Sequence, residues 1–421
     1  MREMKDSGIE WIGAIPQEWI TDRLQWHLKE INVSNNPIQT QNILSLTIEA
    51  GVIPYAEKGN QGNKAKEDYS QYKIAFPDTL VINSMNVIIG AVGISKYFGC
   101  VSPVYYVFEP IEGTDLRYIY YLFTNTGFQK EMRKYAKGIM EIRLRISSSD
   151  MLKRIVPIPS FEEQQRIADN LDKMCAEIDA VLEKTRASIE EYKKLKQAVI
   201  TQVVTKGIRG DRPMKDSGSV WFEEIPCNWV MKRIKYLFHI KKDIAGKEGY
   251  TVLSITQSGI KPKDLSKNEG QLADNYSHYQ LLNPGDFAMN HMDLLTGWVD
   301  ISKYSGVTSP DYRVFVLDDT EKNDSSYYLY LMQMCYFNRI FYGLGQGVSG
   351  MGRWRLQADK FLNFPVVVPP VDEQKEIASY LNEKCSCIEV MIAKKQQYLT
   401  EIENYKKSLI YEYVTGKKEV I

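Results

Sequence analysis

The chain carries nearly the same text twice. Met4-Lys5-Asp6-Ser7-Gly8, followed by Trp11, Ile15-Pro16 and Trp19, returns as Met214-Lys215-Asp216-Ser217-Gly218, followed by Trp221, Ile225-Pro226 and Trp229. The match continues: Tyr69, Tyr72, Pro77, Asn83, Met85 and Gly90 align with Tyr276, Tyr279, Pro284, Asn290, Met292 and Gly297. Ile94-Ser95-Lys96-Tyr97 aligns with Ile301-Ser302-Lys303-Tyr304, and Arg143-Leu144-Arg145-Ile146 with Arg353-Trp354-Arg355-Leu356. A period this long is no solenoid repeat. It predicts two copies of one domain-plus-helix unit, an arrangement suited to touching two places on one extended ligand such as DNA.

Each copy ends in a helical pattern. Pro159 with Glu163-Gln164 opens the first, and Pro369 with Glu373-Gln374 the second. Ile167, Leu171, Met174, Ile178, Val181, Thr185, Ile189, Tyr192, Leu195, Val199 and Val203 step by three or four residues. So do Ile377, Leu381, Lys384, Ile388, Met391, Lys395, Leu399, Ile402, Tyr405 and Leu409. This heptad-like seam predicts two long rods packed antiparallel, with Gly207 and Gly416 as their stops. About 40 helical residues give rods of roughly 60 Å. Within the globular parts, 43–47, 79–82, 105–108 and 251–255 read as strands, and 116–135 and 325–342 as helices. The expected fold class is α+β.

Composition narrows the function. The chain has 421 residues, 44% of them hydrophobic, enough for two or three cored domains. No apolar run reaches the ~18 residues of a membrane span, and the start is polar, so the expected location is the cytoplasm, with no membrane partner. Six cysteines at unmatched places in the two copies are expected to be reduced thiols. Net charge is zero, but residues 130–154 hold eight basic against three acidic residues, and residues 232–247 six against one. Such clusters suit phosphate contacts as well as ordinary solvated faces.

Catalytic motifs are missing. There is no Asn-Pro-Pro-Tyr or Asp-Pro-Pro-Tyr, no phosphate loop and no His-Glu-x-x-His, and the four histidines are scattered. Cys385-Ser386-Cys387 lies in the helix seam without a second ligand pair, so no metal site is expected. Gly343 to Gly352 follows a helical segment rather than a strand, which fits a surface loop better than a nucleotide loop.

The doubled opening, the two Pro…Glu-Gln helix starts and the tails Val204-Thr205-Lys206-Gly207 and Val414-Thr415-Gly416-Lys417 resemble the specificity subunit, HsdS, of type I restriction–modification enzymes over the whole chain. The resemblance implies two pseudo-symmetric target-recognition domains separated by two long antiparallel coiled-coil helices. The expected segments are a first target-recognition domain at 1–158, a helix at 159–208, a second target-recognition domain at 209–368 and a helix at 369–421. It further implies a non-catalytic chain. Its expected partners are double-stranded DNA, two modification (methyltransferase) subunits and restriction/translocase subunits. No cofactor is expected on this chain itself: S-adenosylmethionine belongs to the modification subunit, and ATP and Mg to the restriction subunit. A coiled-coil adaptor that binds only proteins is the alternative, and a stand-alone methyltransferase or nuclease is disfavoured by the missing motifs.

Residues shared by the two copies are expected to be structural or to contact the DNA backbone: Lys96, Lys303, Arg143, Arg145, Arg353 and Arg355. Diverged loops are expected to read bases. These are 57–64, with Lys58, Asn60, Gln61, Asn63 and Lys64, and 261–268, with Lys261, Lys263, Lys267 and Asn268. The stretches 133–145 and 343–355 come second.

Overall fold

The computed structural model describes residues 2–59, 65, 68–85, 91–138, 144–265, 273, 275–347 and 354–420. They form two compact units: Met1–Arg186 with Gln397–Ile421, and Ala187–Gln396. The helices are α1 (Leu116–Thr124), α2 (Thr126–Arg133), α3 (Ser148–Leu152), α4 (Phe161–Lys206), α5 (Ser325–Phe337), α6 (Ile340–Leu344), α7 (Ala358–Asn363) and α8 (Val371–Val414). Each unit therefore combines one globular segment with part of α4 and part of α8.

The first unit is organised by a four-stranded antiparallel sheet in the order Leu28–Ile31, Tyr105–Pro110, Leu80–Asn83, Val92–Ile94. Side chains alternate across it with period two. Leu80, Ile82 and Phe108 face a core that contains α1 and α2, the start of α4 and Leu409–Val414 of α8. Val81 and Val107 face a smaller core built from the hairpin Leu44–Thr47/Gly51–Pro54 with Ala75 and Val101. A sheet covered on both faces explains why Leu80–Asn83 is buried at every position.

The second unit repeats this plan. Its sheet runs Phe238–Lys241, Arg313–Leu317, Phe287–Met289, Val299–Ile301. Phe287, Met289 and Phe315 face the helical core, and Ala288 and Val314 the hairpin core of Leu253, Ile255 and Ile260. In each unit a strand pair, Ile20–Arg23 with Ile155–Ile158 and Val230–Arg233 with Pro365–Val368, carries the chain into α4 or α8.

The Glu-Gln pairs lock the helix starts to the globular parts. Glu163 accepts the Trp19 indole N–H at 3.0 Å and the Arg2 guanidinium at 2.7 Å. Gln164 donates to the Pro159 carbonyl and accepts the backbone N–H of Asp115, which caps α1. In the second unit Glu373 takes Trp229 and Arg212, and Gln374 takes Pro369 and the α5 cap Asp324. The repeated Trp, Glu and Gln are thus one structural joint used twice.

Within the first unit α4 and α8 run antiparallel, with Asp179 paired to Lys406 at 2.6 Å and Arg186 to Glu403 at 2.9 Å. Within the second, Lys196 meets Glu389 at 2.5 Å and Arg209 meets Glu376 at 2.8 Å. The buried stripe differs from the expected seam by one residue at several steps. Val181, Leu195, Met391 and Tyr405 are 40%, 48%, 47% and 53% exposed, while Leu182, Lys196, Ile392 and Lys406 turn inward. The lysine stems cover apolar surface and their ammonium ends reach acids on the facing helix, so they serve where an apolar residue was expected.

Two helix predictions are corrected. The 116–135 pattern is broken at Asn125, which caps α2 with its side chain, and the 325–342 pattern at Arg339, whose φ is +59°. Apolar periodicity continues through both breaks and conceals them. All six cysteines are free. Among the described residues no helix is long and apolar enough to cross a membrane, and no group of three or more His, Cys, Asp or Glu is placed to hold a metal ion.

Candidate nucleic-acid interface

Each unit presents three surface segments that carry cations and amides. The first is the hairpin and the loop after it. Lys58 ends a short 3-10 turn (Tyr55–Lys58) following the hairpin, with its ammonium 5.3 Å from the Tyr55 ring centre. In the second unit Lys261 lies on the hairpin strand itself and donates to the Ser258 hydroxyl, while the Lys263 backbone N–H donates to the Val252 carbonyl. Asn60, Gln61, Asn63, Lys64, Lys267 and Asn268 lie outside the described residues.

The second segment is a tight Ser-Lys-Tyr turn. The Ser95 hydroxyl bonds both the carbonyl and the N–H of Tyr97, and Ser302 does the same with Tyr304. The serine is buried, which leaves Lys96 and Lys303 projecting at equivalent exposed positions. Their match in the sequence therefore reflects a shared turn.

The third segment is an arm. Lys137 and Arg145 exchange both main-chain hydrogen bonds, at 2.8 and 2.9 Å, and Gln346 and Arg355 do so at 2.9 and 3.0 Å. Both arginines are exposed. Arg143 and Arg353, on the segments beyond, lie outside the described residues. The arms are rooted alike: the Ile146 N–H donates to the Ser84 carbonyl, and the Leu356 N–H to the His291 carbonyl.

At the root the units diverge in chemistry. In the first, the Tyr106 hydroxyl donates to the Ile146 carbonyl at 3.0 Å. In the second, the aligned residue is Arg313, whose guanidinium donates to the Leu356 carbonyl at 2.9 Å. Arg313 is 5% exposed, stacks 5.0 Å from the Phe361 ring centre and has no carboxylate partner among the described residues. Burial pushes its pKa down to about 10. Burial, with Arg313 and Arg355 nearby, pushes His291 down to about 3, and its Nδ1 has no hydrogen-bond partner. In the first unit a cavity of about 460 Å³ opens at the arm root, lined by Tyr106, Tyr135, Lys137, Arg145, Ser147 and Asp150. The Arg154 guanidinium lies 3.3 Å from the centre of the Tyr135 ring. In the second unit Trp354 stacks on Tyr342 and donates to its carbonyl.

Arg145 and Arg355, expected from the sequence, both stand on the arms, whereas Tyr106 and Arg313 at the root were not expected. The available signal was one arginine opening the otherwise apolar strand Arg313–Leu317, aligned with a tyrosine.

The family described as type I restriction modification DNA specificity domain matches residues 27–191 and again 226–401. The chain belongs to the type I restriction–modification DNA specificity family. Its function is recognition of a DNA target, and each arm falls within one of the two matched specificity stretches. The chain is 26% identical to the type I restriction enzyme MjaVIII specificity subunit of Methanocaldococcus jannaschii over 321 residues, covering 73% of this chain and 71% of the relative. It is 24% identical to the putative MjaX specificity subunit of the same organism, covering 97% and 96%. Its fold is similar to that of a chain from a study of complex assembly and conformational transition of the type I R-M system. That likeness has a TM-score of 0.70 at 12% identity, over 96% of this chain and 99% of that one.

Proposed function

We propose that this specificity protein reads a bipartite site on double-stranded DNA, one half with each unit. The observation that carries the reading is a pair of units with one fold and one arm geometry but unlike residues along the hairpin and the loop after it. Shared elements position a reader on the backbone, and diverged ones specify bases. The long helices α4 and α8, which each contribute to both units, set the spacing of the half-sites. They also dock two modification subunits, one per unit, through exposed apolar residues such as Val181 and Met391.

This chain performs no chemical step. The modification subunits bring S-adenosylmethionine and methylate adenine, and restriction/translocase subunits bring ATP and Mg. The complex works in the cytoplasm. Methylated adenines mapped in cells with and without the gene test the reading. A split sequence that loses methylation with the gene supports it, and an unchanged methylation pattern defeats it. Exchange of residues 20–155 or 230–365 with a relative should change one half of the target and leave the other intact.

A further inference from the structure

We propose that each unit carries a two-cation clamp for one DNA backbone phosphate at the root of its arm. Lys137 and Arg145 form the first, and Arg313 and Arg355 the second. The proposal rests on the DNA-reading function above and names the residues that grip the backbone.

In the first unit Lys137 and Arg145 are direct cross-strand neighbours, since they exchange both main-chain bonds, and their side chains share a face of the arm. Like charges in that position repel. Neither has an ion-pair partner among the described residues. Asp150 lines the same cavity and feels the Lys137 charge without reaching ion-pair distance, and it accepts the Ser147 hydroxyl at 2.7 Å. Both cations line the cavity of about 460 Å³ beside Tyr106 and Tyr135. An anion placed there relieves the repulsion and meets two charged donors at once.

In the second unit the residue opposite Arg355 is Gln346, so that cross-strand pair supplies one cation. The second comes from the sheet. Arg313 replaces Tyr106 and makes the same bond to the arm-root carbonyl, a bond for which a neutral hydroxyl suffices in the first unit. A buried guanidinium without a carboxylate is costly, so the bond alone does not account for it. Among the described residues no carboxylate comes within ion-pair distance of Arg313: beside it lie His291, with an orphaned Nδ1, and Tyr336, whose hydroxyl donates to the Asn290 carbonyl. Each unit thus sets a second cation beside the arm arginine, drawn from a different strand in each. Arg313 acts from beneath on the anion that Arg355 meets at the surface.

The test uses the full chain assembled with its modification subunits, on duplex DNA bearing the mapped target. Equilibrium binding is measured across a range of salt concentrations. Lys137→Gln copies Gln346, and the double variant Arg313→Tyr with His291→Ser copies Tyr106 and Ser84, so the bond to the Leu356 carbonyl survives. Each variant is expected to flatten the dependence of log K on log salt by up to about 0.9, the worth of one phosphate, with the methylated sequence unchanged. Arg313→Lys is expected to keep the wild-type slope. Weaker binding with an unchanged slope would make these residues purely structural and overturn the clamp. A changed half-site sequence would overturn it in favour of base reading. Failure of the wild-type complex to bind its target in preference to other DNA would instead defeat the DNA-reading function beneath it.

Discussion

The carboxylate of Glu373 accepts the indole N–H of Trp229 at 2.9 Å, inside a joint that also takes the Arg212 guanidinium and the Asn228 amide. Burial alone would raise the Glu373 pKa, but Trp229, Arg212 and Asn228 outweigh it and hold the carboxyl below its ordinary value near 4.5. A carboxyl lowered in the folded state contributes stability that is complete above its unfolded value and is lost as pH falls through the lower folded one. Glu373→Gln should therefore lower stability at neutral pH and flatten its decline in acid, as read by urea midpoints across the acid range. Glu373→Ala leaves the buried Trp229 indole N–H without its acceptor and the Arg212 guanidinium without its carboxylate, and should cost about 3 kcal/mol.

Gly416 follows the end of α8 with φ +70°, and a Cβ there would run into the Pro16 ring and approach the Trp19 indole at 3.2 Å. Gly207 follows α4 with φ +77°, but the first atoms in its way belong to the Arg212 side chain. A left-handed L-residue costs about 1–2 kcal/mol. Gly416→Ala should add a rigid clash to that and cost about 2–3 kcal/mol. Gly207→Ala should cost less, because a side chain can yield. Thermal unfolding of the two variants side by side checks the order.

Val181 and Met391 are related by the internal repeat, and both are exposed on the long helices. Val181→Asp and Met391→Asp should leave the fold intact and each should remove one modification subunit. Mass measurement of the assembled complex should give one modification subunit per chain for either variant and none for the double variant. Two subunits retained on the double variant would place the docking surface elsewhere.

The division between the units falls after Arg186 in α4 and after Gln396 in α8. Four residues inserted at both points lengthen the helices by about 6 Å, so the preferred gap between half-sites should grow by about one or two base pairs at about 3.4 Å each. The half-site sequences should not change. An insertion after Val204 should behave differently, because the Val204 carbonyl accepts the buried Tyr327 hydroxyl and the second unit would be disturbed. Methylation mapping separates the two outcomes.

The long helices were legible because a heptad spacing survives in the sequence without any partner in view. Their inward face was legible only in part. Apolar periodicity selects Leu195 and Tyr405, whereas the fold turns Lys196 and Lys406 inward because acids on the facing helix receive their ammonium groups. The Glu-Gln repeat stood out as a motif, but its partners Trp19 and Trp229 lie 144 residues away in sequence, and nothing local reveals that pairing. At the arms, repeated arginines marked Arg145 and Arg355. The root residues Tyr106 and Arg313 escaped because they do the same mechanical work with unlike side chains.

The Tyr118 hydroxyl lies within bonding reach of both the Pro157 carbonyl and the Val414 carbonyl, and Leu409–Val414 belongs to the core of the first unit. The second unit is a continuous run from Ala187 to Gln396. On the ribosome, then, the order of maturation reverses the order of the sequence. The second reader can close its core once Gln396 has emerged, while the first, synthesised earlier, must wait with an open apolar face for Val414.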